Sequence, residues 1–149
     1  MTSTQNIKQL ISVYRIDARQ ARLRGDWQRC WQLLEDAHVL SQPWAWPHIQ
    51  VHGSMLVAGW RLRDAREVCG QILRLVVGGP ASAVGRYPVG NTGRARIPAT
   101  QPMPIAGELA EVLQRAGQRI DLSNCSSKGC LNQLRRASLW SQHSVACFC

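Results

Sequence analysis

Residues 25–52 read GDWQRCWQLLEDAHVLSQPWAWPHIQVH. Gly25 is a helix-stopping residue, and Asp26 after it is suited to cap the next helix. Trp27, Cys30, Trp31, Leu34 and Ala37 then recur at helical spacing, with His38 on the same side. This pattern predicts a helix from about Trp27 to Leu40. A short link from Ser41 to Trp46 holds Pro43. Pro47 suits the first turn of a further helix, where its missing N–H costs nothing. That helix is expected to reach about Leu62, with an inner face of Ile49, His52, Met55 or Leu56, and Gly59 or Trp60. Two helices joined by so short a link run antiparallel, so the stretch predicts an all-α fold.

Upstream, Ile7, Leu10, Ile11, Tyr14, Ala18 and Ala21 repeat at helical spacing between about Gln5 and Arg24. Lys8, Arg15, Arg19 and Arg22 line the opposite side. Downstream, Asp64 is a second N-cap, and Ala65, Val68, Cys69, Ile72, Leu75 and Val76 form an apolar stripe. Gly78-Gly79-Pro80 is expected to end that helix. A shift of 39 aligns Arg22, Leu23, Arg24, Cys30, Gln32 and Leu34 with Arg61, Leu62, Arg63, Cys69, Gln71 and Leu73. The caps align at a shift of 38. A helical-hairpin repeat of this length suggests tetratricopeptide-like units. The expected architecture is a compact bundle of two such hairpins over residues 1–79. A Pro/Gly-rich strap over 80–104 and a terminal helix over 105–117 follow. Residues 118–149, rich in Ser and Cys, read as a disordered tail.

Eighteen basic residues face nine acidic ones, and a chain this basic favours an anionic partner such as nucleic acid. The mixing of signs along the helices favours a protein partner instead. No signal sequence opens the chain, and no run is long enough to span a membrane, so a cytoplasmic protein without a membrane partner is expected. The cysteines then read as free thiols; Cys30 and Cys69 lie on helix stripes and read as small core residues.

Ala37-His38-Val39-Leu40, Trp46-Pro47-His48 followed by His52, and Met55-Leu56 followed by Trp60 resemble a family of small bacterial proteins known as domain of unknown function 3703. Gly85-Arg86-Tyr87-Pro88-Val89-Gly90-Asn91-Thr92-Gly93 and Pro102-Met103-Pro104 extend the resemblance. It implies a helical domain, no established activity, and an association with heavy-metal handling. Gly53 stands where the family more usually has an aromatic residue, and the tail departs from the family's usual ending.

Glu35 and His38 lie three apart, and His48 and His52 four apart, so each pair shares a helix face. On neighbouring antiparallel helices these residues supply N and O ligands suited to zinc or another divalent transition metal. The competing expectation is a packed joint in which each histidine makes a separate contact. Trp44 and Trp46 could anchor a protein partner. Arg86, Arg94 and Arg96 flank the Asn91-Thr92-Gly93 turn and could hold a phosphate or carboxylate. No nucleophile–base arrangement, Walker loop or GxGxxG is present, and no catalytic residue is expected. The first functional expectation is a non-enzymatic helical protein-interaction domain. The alternative is a metal-binding accessory protein.

Overall fold

A computed structural model of the chain describes residues 3–83 and 89–117. Its helices are α1 (Ser3–Leu23), α2 (Trp27–Ser41), α3 (Ala45–Arg61), α4 (Ala65–Ala83) and α5 (Gly107–Arg115). The described residues contain no strand, so the fold is all-α. None of these helices is long and apolar enough to cross a membrane. Arg86 and the 118–149 tail, with Cys125, Cys130, His143, Cys147 and Cys149, lie outside the described residues.

The turns α1–α2 and α3–α4 are built alike. Asp26 N–H donates to Ala21 O and Gly25 N–H to Arg22 O; Asp64 N–H donates to Gly59 O and Arg63 N–H to Trp60 O. This pairing closes a helix with a left-handed residue. Gly25 takes that conformation at φ 77°, and Arg63 takes it at φ 55°. Each turn then caps the next helix through a carboxylate: Asp26 accepts from Arg29 N–H at 3.0 Å and Asp64 from Glu67 N–H at 3.1 Å.

Helix α1 packs on α2, α3 on α4, and α2 on α3. The core joins Ile7, Ile11 and Ala18 of α1 to Cys30, Leu33, Leu34 and Leu40 of α2 and Val51 and Met55 of α3. Leu109, Ala110 and Leu113 of α5 extend the same core. Burial of these aliphatic side chains is the main force holding the helices together.

Helix α4 departs from the expected pattern in two ways. It runs through Gly78-Gly79-Pro80 to Ala83. Its apolar stripe also faces outward: Ile72 is 49% exposed and Val76 70%, and Cys69 is exposed as well. Among the described side chains of α4, the fully buried ones are Glu67 and Gln71. The reason lies in what α4 meets inside. Residues 89–106 run without regular structure, and 93–97 of this segment press on α4. A Cβ at Gly70 would stand 2.4 Å from Ala95 Cβ. Peptide groups of that segment and the His52 ring need donors and acceptors, which the polar side of α4 supplies. Arg74 donates to Arg94 O at 3.0 Å and Ile97 O at 2.6 Å.

Candidate metal centre

His38 comes from the last turn of α2, His48 from the first turn of α3, and His52 from one turn further along α3. All are buried, at 4%, 5% and 2% exposure. The α2–α3 joint therefore brings three imidazoles together, with ligand atoms all within 4.8 Å of one another. Nε2 of His52 lies 3.3 Å from Nε2 of His38 and 3.2 Å from Nε2 of His48. The ring centroids are 4.5–4.8 Å apart, and the rings are tilted or edge-on rather than stacked.

Each opposite nitrogen, Nδ1, has a partner that fixes the tautomer. His38 Nδ1 donates to Asn91 O at 2.8 Å, and a carbonyl can only accept. His52 Nδ1 faces Gln71 Oε1 at 2.7 Å. The Gln71 amide is oriented by its nitrogen, which donates to Glu67 Oε1 at 2.7 Å and Gly93 O at 2.8 Å. Its oxygen is thus the atom facing His52, and His52 donates. His48 Nδ1 lies 3.1 Å from Ser41 Oγ. That hydroxyl gives its hydrogen to His38 O at 2.9 Å, so it accepts from His48. These partners assign the ring protons to Nδ1. The Nε2 lone pairs face one another.

Burial holds these rings neutral. It is the largest cause of the depressed basicity of each. His48 is lowered to about 3, with His52 adding to the effect. His52 is lowered to about 4, and the Gln71 hydrogen bond opposes the shift. His38 is lowered well below the ordinary histidine value, with His48 and His52 as further causes.

Neutral imidazoles with bare, convergent nitrogens are a transition-metal donor set. Zinc–nitrogen bonds of about 2.0–2.1 Å in tetrahedral geometry put ligand nitrogens about 3.3–3.4 Å apart. Two of the three Nε2 separations, 3.2 and 3.3 Å, fit that edge, and the trio as a whole lies within 4.8 Å. Nδ1 donation to fixed acceptors is also how metal-binding histidines are usually oriented.

Glu35, expected beside His38, does not join this group. Its carboxylate pairs with Arg94 at 3.3 Å. Burial raises its pKa, with Arg94 opposing. Arg94 also pairs with the buried Glu67 at 3.2 Å and stacks on Trp31 at 3.7 Å from the ring centroid. Arg96 pairs with Asp64 at 3.3 Å. The expected anion site is therefore occupied by the protein's own carboxylates at Arg94 and Arg96. The turn is also internally bonded: Gly93 N–H donates to Asn91 Oδ1, and Ala95 N–H to Glu67. Trp44 is partly buried against the core, whereas Trp46 is 68% exposed.

Sequence reasoning did not single out Ser41, Gln42, Glu67 or Gln71 as parts of the site. Gln42 ties the end of α2 to the segment, donating to Asn91 O at 3.3 Å and accepting from Gly90 N–H at 3.1 Å. The available signal was a polar pair, Glu67 and Gln71, one turn apart on a helix. Asn91 and Gly93 stood in a recognised turn, but nothing local tied that turn to His38. Gly93 is required there: its φ is +80°, and a Cβ would lie 2.5 Å from His38 Cδ2.

No curated protein and no solved structure matches this chain. One family match covers residues 5–113, which include the three histidines, their Nδ1 partners and most of α5. The chain belongs to the family described as protein of unknown function (DUF3703).

Proposed function

We propose that this chain is a metal-binding accessory domain that holds one divalent transition metal, zinc by preference, through Nε2 of His38, His48 and His52. The observation that carries this reading is the opposed pair of features at each ring: Nδ1 is committed to an acceptor, and Nε2 is left bare and convergent. A packed core joint has no need for bare nitrogen lone pairs facing one another, because such a group repels until a cation sits between them. The link between this family's resemblance and heavy-metal handling agrees with the same reading.

The test is a titration of tag-free protein with Co(II) and Zn(II), compared with a His38→Ala, His52→Ala double variant. Saturation near one equivalent in the wild type, with binding lost in the variant, is the expected result. Wild-type protein that binds neither metal at micromolar concentration sinks the proposal.

A second reading keeps the chain as a tetratricopeptide-like protein-interaction domain, with residues 89–104 of the expected 80–104 strap lying across it. Its support is a groove of about 540 Å³ between α1 and α3, bordered by Arg15, Ile16, Arg19, Gly53 and Val57. The outward stripe of α4 and Trp60, 71% exposed, add apolar surface. An acidic peptide suits this groove by charge. NMR titration with polyglutamate at low salt should shift the α1 and α3 groove residues; no localised shift removes this reading.

A further inference from the structure

Thr92 is the residue of the segment that the hydrogen-bond network leaves unexplained. Its Oγ1 is buried and has no hydrogen-bond partner, the one such side-chain atom among the described residues. Its two chain neighbours both meet His38. Asn91 accepts from His38 Nδ1 at 2.8 Å. Gly93 lies over the face of the ring, so closely that a Cβ there would stand 2.5 Å from His38 Cδ2 and 2.6 Å from Nε2. Asn91 and Gly93 thus both pack on the His38 ring, and Thr92 stands between them in the chain. A buried hydroxyl without a partner is unfavourable and calls for one.

The donor set is also one ligand short. The described residues supply His38, His48 and His52 to the group and no fourth His, Cys, Asp or Glu. Zinc sites with three protein ligands complete a tetrahedron with a non-protein ligand. Every protein ligand here is neutral, so a buried divalent ion would keep its full charge and polarise that ligand strongly. A small oxygen ligand with its own hydrogen-bond partner is the chemistry that satisfies both shortages.

We propose that the fourth ligand is a water molecule and that the Thr92 hydroxyl is its hydrogen-bond partner. This rests on the reading of the imidazole trio as metal ligands. Thr92 is then a positioning residue, acting on the metal through the water. Removing a partner one shell out from a metal typically weakens binding about tenfold or more.

The experiment compares wild type, Thr92→Val and Thr92→Ser by Zn(II) competition against a chromophoric chelator, by the visible spectrum of the Co(II) form, and by apo melting temperature. Thr92→Val should bind Zn(II) about tenfold more weakly and alter the Co(II) spectrum. Its apo melting temperature should stay level or rise, because an unpartnered buried hydroxyl has been removed. Thr92→Ser should keep wild-type affinity and spectrum. Unchanged affinity and spectrum in Thr92→Val overturn the role of Thr92 while leaving the metal reading intact. A fall in apo stability with no rescue of binding by Thr92→Ser also overturns it, as a purely structural role. Wild type that binds no metal removes the metal reading itself.

Discussion

At His52 one amide decides what the ring can do. Gln71 can present only its oxygen, because its nitrogen is held between Glu67 and Gly93 O. Replacing it by leucine leaves His52 Nδ1 without an acceptor and its tautomer free. Metal affinity of Gln71→Leu should fall about 10–100-fold, as measured by chelator competition; unchanged affinity means that the Nδ1 partners do not orient the site. Gly93 has a different constraint. Gly93→Ala forces a Cβ into the His38 ring at a left-handed backbone position. It should destabilise the fold by about 1–3 kcal/mol, seen in chemical denaturation. A neutral result contradicts the close approach of the segment to His38. The histidines themselves were legible from spacing alone, since i, i+4 on α3 and the end of α2 meet across a short link. Glu35 followed the same spacing logic and still paired elsewhere. Arg94, fifty-nine positions away, reaches it at 3.3 Å, and no local pattern encodes a partner that distant.

Among the elements, the α1–α2 and α3–α4 turns close in the same way with different residues. Gly25 meets the left-handed requirement without a Cβ, whereas Arg63 meets it with one. Arg63→Gly should therefore stabilise the fold by about 0.5–1 kcal/mol, read as a higher denaturation midpoint at constant slope. Destabilisation would show that the Arg63 side chain contributes contacts that outweigh its backbone. The caps Asp26 and Asp64 were visible in the sequence because capping chemistry is local. The orientation of α4 was not. Its apolar stripe has helical period, and the usual inference turns such a stripe inward. What reverses it is the 89–106 segment, which brings peptide groups against Glu67, Gln71 and Arg74. Periodicity finds the faces of a helix; it does not say whether the neighbour is greasy or polar. The same segment explains why the polar network escaped a reading made helix by helix.

For the molecule as a whole, burying a neutral imidazole trio links stability to pH. The unfolded rings protonate below about 6.5, while folded His48 and His52 resist until about 3 and about 4. The unfolded state then binds more protons, so this contribution is complete above the unfolded value and is lost as pH falls through the window below it. Each such histidine contributes a slope of about 1.4 kcal/mol per pH unit there. Asp36, raised to about 6 mainly by burial, acts in the opposite sense. Its folded form keeps a proton that the unfolded form releases above about 3.9, so its contribution is lost as pH rises toward 6. Glu35, also raised by burial, acts in the same sense as Asp36, and two carboxyls against three histidines leave a net loss on acidification. Apo protein should lose melting temperature steadily between pH 6 and 4, and saturating Zn(II) should move that loss to lower pH. A flat profile contradicts the buried neutral trio. The central claim is that a metal belongs where the Nε2 atoms converge, and an anomalous difference map from Zn(II)-loaded crystals tests it most directly. The account predicts a single peak about 2.0–2.1 Å from Nε2 of His38, His48 and His52. Zinc bound elsewhere, with those imidazoles hydrogen-bonded to one another and no peak between them, would contradict it.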